Sequence, residues 1–100
     1  MWLRTTKAQI QPGQIDEFAR RWRELVTPHI PEIPGLRSVY LCGNRDTNTV
    51  MTIHLWDNPP DQAAHEIHDK ARFRDQVRDI LASVEPVAEE YEVLAGTERP

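Results

Sequence analysis

Residues 50–73, VMTIHLWDNPPDQAAHEIHDKARF, read as a strand that runs into a helix through a double proline. Met51, Ile53 and Leu55 form one apolar face of the strand; Val50, Thr52, His54 and Trp56 form a mixed one. Asn58 suits a helix N-cap, Pro59 is tolerated at the first helical position, and Asp61 falls in the first turn. Beyond it Ala64, Ile67, His68 and Ala71 give a weakly apolar helical stripe, and Phe73, Val77, Ile80, Leu81 and Val84 a stronger one. The spacing predicts two helices, or one broken near Lys70, ended by Glu85-Pro86. This stretch holds three of the four histidines and one of the three tryptophans, so part of any chemical site is expected here.

Upstream, Trp2 to Ile10 is strand-like. Trp2, Arg4, Thr6, Ala8 and Ile10 share one face, and Leu3, Thr5, Lys7 and Gln9 the other. Pro12-Gly13 turns the chain. Ile15, Phe18, Trp22, Leu25 and Val26 then follow a helical period to about Pro28, with Asp16 and Glu17 at the positive end of the helix dipole. Pro28, Pro31 and Pro34 oppose continuation. Pro34-Gly35 opens a strand from Leu36 to Cys42, and a polar connection through Asn48 leads to Val50. Val87 to Leu94 is the last strand, followed by a tail from Gly96 to Pro100.

Strand, helix, strand, strand, helix, strand is the split βαβ, ferredoxin-like arrangement: an α+β fold with a four-stranded antiparallel sheet and helices on one face. With simple register one sheet face carries Leu3, Val39, Leu41, Met51, Ile53 and Leu55. The other carries Trp2, Ile10, Tyr40, Val50 and Trp56. Neither is polar enough for water, so the second face is expected to be covered by another copy of the chain, making a homodimer through sheet faces.

One hundred residues suffice for a single domain with one core. A net charge of −4, with acidic residues interleaved among the arginines, argues against nucleic acid as a partner. No run approaches a membrane span, and the N-terminus lacks the apolar segment of a secretory signal. A lone cysteine, Cys42, permits no intrachain disulfide and no thiolate cluster. These features are those expected of a cytoplasmic protein.

Three residue types, histidine and tryptophan in the strand–helix stretch and tyrosine at position 40, bear on chemistry. His54, flanked by Thr52 and Trp56 on a mixed face, has the makings of a base, because an imidazole titrates near pH 6.5; the plainer reading is a packed histidine at a contact or edge. His65 and His68 lie on adjacent turns of one helix face, but two ligands are too few for a metal and HEIH is not HExxH. No metal is expected, and His65 is read as lining a pocket opposite Trp56. Trp56 is otherwise plain core. Tyr40 offers a phenol to a ligand, or is an ordinary strand aromatic. Gly-rich phosphate loops, GxSxG and an activated-cysteine pattern are all missing.

Gln11-Pro12-Gly13, the Phe18 and Trp22 helix, Pro34-Gly35-Leu36, Trp56, Ala64-His65 and Tyr91-Glu92-Val93, in that order and spacing, resemble the antibiotic biosynthesis monooxygenase superfamily over nearly the whole chain. The resemblance implies a dimeric α+β barrel with a small pocket between sheet and helices in each subunit. It implies a cofactor-free oxidation of a small phenolic or quinol ligand, with His54 or His65 as base and Trp56, Thr6, Phe73 and His68 beside it. A haem-degrading branch uses an asparagine on strand one, a helical tryptophan and a later histidine. This sequence has Thr6, His65, and Arg72 or Arg74 near those places, with His68 too early, so haem is disfavoured as a cofactor. A non-catalytic dimer that binds a small molecule is the other reading.

Overall fold

A computed structural model of the chain describes residues 1–59, 70–84 and 88–99. Its centre is β1 (Trp2–Ile10), which pairs antiparallel with β3 (Thr49–Trp56) along one edge. Along the other edge it pairs with β4 (Leu81–Val84) and then β5 (Glu89–Glu92). The hairpin partner β2 (Leu36–Asn44) flanks β3, giving the order β2-β3-β1-β4 with β5 also on β1. Helix α1 (Ile15–Leu25) follows β1, a 3-10 turn spans Thr27–Glu32, and α2 covers Lys70–Gln76. The arrangement is α+β and ferredoxin-like, as the order of periodicities predicts.

Three details differ from expectation. The stripe Phe73, Val77, Ile80, Leu81 is not one helix: α2 stops at Gln76, a turn follows, and Leu81 begins β4. Leu81 N–H donates to the Val77 carbonyl, and Gln11 N–H to the Ile80 carbonyl, so the turn is held against the end of β1. A helical period and a turn-plus-strand bury the same apolar residues here, and pairing with β1 decides between them. The last arm of the sheet is consequently two strands. From Ala8 to Thr5 β1 advances three residues, while its partner advances five, from Val84 to Glu89. The pairing on β1 therefore shifts by two residues between β4 and β5.

The third difference is the facing of β2. Leu41 pairs with Thr52 and Tyr40 with Ile53. Val39 and Leu41 therefore share the face of Val50, His54 and Trp56, and Tyr40 joins Met51 and Ile53, opposite to the simple-register expectation. The cause is the hairpin. Asn44 pairs with Thr49, which leaves the four-residue loop Arg45–Asn48. The Asn44 Oδ1 accepts from Asp46 and Thr47 N–H, and Asn48 closes the loop with φ 54°. A bulge at Arg37 then lets Leu36 rejoin the Trp56 face.

Ile10, Ile15, Phe18, Val50, Val77 and Ile80 form the core cluster, with Ala8, Trp22, Leu41, Phe73 and Leu81 packed against it. Phe18 meets Phe73 edge-on, centroids 5.5 Å apart. Leu25 lies outside this stripe and is exposed. α1 is tied to the turn before β4 by Arg21, whose Nη1 donates to the Gln76 carbonyl and to Asp79 at 2.8 Å. The opposite sheet face turns Leu3, Met51, Ile53 and Leu55 outward, flanked by Tyr40 and Tyr91, which are exposed.

Ile10→Ala removes the side chain on which both helices and β4 converge, so a loss of about 2–5 kcal/mol is expected in urea unfolding; a loss within 1 kcal/mol would place the core elsewhere. Glu17, held by Arg20 and Arg21, has its carboxyl lowered from 4.5 to about 2. Its contribution is complete above the ordinary value and is lost as pH falls toward 2. The urea midpoint is expected to fall more between pH 5 and 2.5 in the wild type than in Glu17→Gln, by a small margin because the group is at the surface. Parallel slopes would show that the cluster contributes nothing.

Candidate functional site

On the helix side of the sheet the pairing lays side chains in lateral rows, because residues directly opposite one another in an antiparallel ladder share a face. The row nearest the core is Gly43, Val50 and Ala8. Next come Leu41, Thr52 and Thr6, then Val39, His54, Arg4 and Glu90, and last Leu36, Trp56, Trp2 and Glu92. Along the strands the surface thus passes from apolar, through hydroxyl, to charged and then aromatic. The described core cluster covers the first of these rows and reaches Leu41 in the second.

The two hydroxyls are paired, Thr6 Oγ1 with Thr52 Oγ1. Arg4 is 15% exposed, and its Nη1 lies 3.9 Å from a Glu90 carboxylate oxygen. Arg4 Nε, His54 Nδ1 and Trp56 Nε1 are shut off from solvent, and among the described residues Arg4 Nε has no hydrogen-bond partner. Burial pushes the Arg4 guanidinium below its ordinary range, with the Glu90 charge opposing that shift. The His54 and Trp56 rings lie near-parallel, 16° apart with centroids at 6.4 Å, and make one flat wall. Trp56 is itself buried.

Of the residues expected at a site, Thr6, His54 and Trp56 come together in these rows. Phe73 does not line them; it packs on Phe18 in the core. Tyr40 is on the other face of the sheet and 62% exposed, so it is separated from His54 by the thickness of the sheet. His65 and His68 lie outside the described residues. Arg4, Glu90 and Trp2 join the site without having been singled out. Arg4 had a signal: a cation at the middle of the Trp2, Thr6, Ala8, Ile10 face. Glu90 had none, since its facing depends on the register of β5. Among the described residues no three His, Cys, Asp or Glu side chains gather as a metal site would require. A shallow depression of about 160 Å³ between α1 and β2 is a separate feature, lined by the Asp16–Arg45 ion pair and without a histidine.

A half-buried imidazole, a guanidinium, a hydroxyl pair and two indoles on one side of a sheet can bind a planar ligand, orient it and move a proton. No helix among the described residues is long and apolar enough to cross a membrane.

No curated protein sequence matches the chain. Several solved structures share its fold. A protein of Nitrosomonas europaea, provisionally described as an antibiotic biosynthesis monooxygenase, superimposes with a TM-score of 0.73 at 20% identity, over 95% of this chain and 100% of that one. A protein of Pseudomonas aeruginosa does so at 0.68 and 24% identity, over 94% of each chain. An uncharacterised NIPSNAP domain protein of Burkholderia xenovorans gives 0.67 at 15% identity, over 99% of this chain and 100% of that one. At such identities these likenesses speak to the fold alone. The family model for antibiotic biosynthesis monooxygenases matches residues 1–72, from β1 through β3 and into α2. The chain therefore belongs to the antibiotic biosynthesis monooxygenase family.

Proposed function

We propose that the protein oxidises a small aromatic or quinol metabolite with dioxygen and without a cofactor, in a pocket on the helix side of the sheet beside Trp56. The observation that carries this reading is the placement of His54 between the Thr6–Thr52 pair and Trp56, on the only charged rows of an otherwise apolar described sheet face. His54 removes the phenolic proton. The phenolate gives an electron to dioxygen far more readily than the neutral phenol does, and the two radicals combine at a ring carbon. Loss of water then leaves a quinone: one phenol and one dioxygen give one quinone and one water. The substrate supplies all four electrons, so no outside reductant is required. Trp56 supplies the flat wall, and Thr6 with Thr52 the polar edge that orients the ring. His65, from the segment outside the described residues, is the second candidate base.

The second reading is a small-molecule-binding protein of the same architecture with no turnover, because a fold does not by itself fix a chemistry. Haem degradation is not proposed, because Thr6 stands where that branch carries its asparagine.

The pocket is proposed to work within a homodimer. Leu3, Met51, Ile53 and Leu55, flanked by Tyr40 and Tyr91, make a self-complementary apolar surface for a twofold partner.

With 1-naphthol as probe and no added cofactor, one dioxygen should be consumed per quinone formed. His54→Ala should lower kcat about a hundredfold or more. Rates unchanged in both His54→Ala and His65→Ala would dismiss these bases, and ligand binding without oxygen uptake would favour the second reading. Sedimentation at micromolar concentration should give a dimer, and Ile53→Asp a monomer; a wild-type monomer would remove the interface.

A further inference from the structure

The oxidation described above leaves Arg4 without a task, and an arginine only 15% exposed is expensive to keep idle. We propose that Arg4 receives a carboxylate carried by the aromatic ring of the ligand, so that the site takes a ring acid in preference to a neutral phenol. This rests on the reading of the same pocket as an aromatic site and narrows its substrate class.

The geometry supports it at three points. Arg4 sits directly across the ladder from His54, and neighbouring side chains in such a pair stand about 5 Å apart, so one ring can touch both. Glu90, the counter-charge on the other flank, approaches Nη1 only to 3.9 Å, beyond hydrogen-bond length. It lies at the tip of the guanidinium. The lateral edge of the fork, which runs through Nε, has that nitrogen buried and without a partner among the described residues. A guanidinium edge of parallel N–H groups matches a carboxylate's two oxygens, whereas a phenol of ordinary pKa near 10 offers it a neutral oxygen. Burial already disfavours the Arg4 cation more than Glu90 restores it, so a bound anion would complete the compensation. Glu90 and Glu92 lie on the same face and would repel a dianion.

The test is binding, read by tryptophan fluorescence without oxygen, of 4-hydroxybenzoate against its methyl ester. Wild-type protein should prefer the acid by about tenfold or more. Arg4→Gln should bring the two affinities together while leaving the ester's unchanged, which also reports an intact pocket. Glu90→Gln, a change at a half-exposed residue, should tighten the acid several-fold and leave the ester alone. Equal or absent binding of acid and ester by the wild type overturns the inference. So does an acid preference that survives Arg4→Gln, and so does a Glu90→Gln variant with an unchanged ratio. The acid preference is independent of turnover. If it holds while no oxygen is consumed with any phenol, the oxidation reading fails and this one stands; oxygen uptake with no acid preference does the reverse.

Discussion

The antiparallel register between β1 and β3 is the constraint on which the site depends. Trp2 stands against Trp56, Arg4 against His54 and Thr6 against Thr52 because Ile10 and Val50 are both drawn to the core under α1. A strand's side chains alternate strictly, so the facing of the apolar pair fixes that of every other residue on both strands. A slip of one residue would put Ile10 and Val50 in the open and Lys7 against the helices. The cost of that exchange, several kilocalories per buried aliphatic side chain and more for a buried charge, holds the polar residues in place although they contribute little cohesion themselves.

Holding a guanidinium and an imidazole largely out of water on the sheet takes stability from the fold, and the arrangement keeps that loss local. The core cluster occupies one end of the sheet, where Phe18, Phe73 and Val77 close over Ile10 and Val50. The charged rows lie at the other end. The Thr6–Thr52 pair is the border between them, two hydroxyls satisfying each other. Arg21, by holding Asp79 and the Gln76 carbonyl, fastens α1 to the far edge of the same sheet on the core side of that border. The molecule thus separates the part that keeps it folded from the part available to a ligand.

How much of this could be read from the amino acids follows the same division. The order of elements was legible because alternation in Trp2–Ile10 and the helical period of Ile15, Phe18 and Trp22 are local signals. The sharing of a face by Thr6, Ala8 and Ile10, or by Thr52, His54 and Trp56, was equally local. The facing of β2 was not, because it hangs on a four-residue loop that sets the parity of Val39, Tyr40 and Leu41, with a bulge at Arg37 that resets Leu36. Tyr40 was for that reason assigned to a pocket from which the sheet separates it. Phe73 misled for another reason: a phenylalanine on a helix can face either a cavity or another ring, and only its partner, Phe18, decides. Leu81 was taken for helix because pairing with β1, remote in sequence, overrides its local period.

Arg4 illustrates why a functional residue can be visible in a sequence and still go unread. Its position on the face of Trp2, Thr6 and Ile10 was plain, yet an arginine on a strand is ordinarily an edge residue that reaches solvent along its own stem. The structure removes that escape. β1 is an interior strand, with β3 along one edge and β4 with β5 along the other, so a side chain at its middle has no edge to reach around. Centrality in the sheet leaves an unremarkable cation largely covered, 15% exposed. It does so beside His54, the residue whose chemistry depends most on local charge. Position in the sheet order, not residue type, is therefore what joins these two side chains into a site.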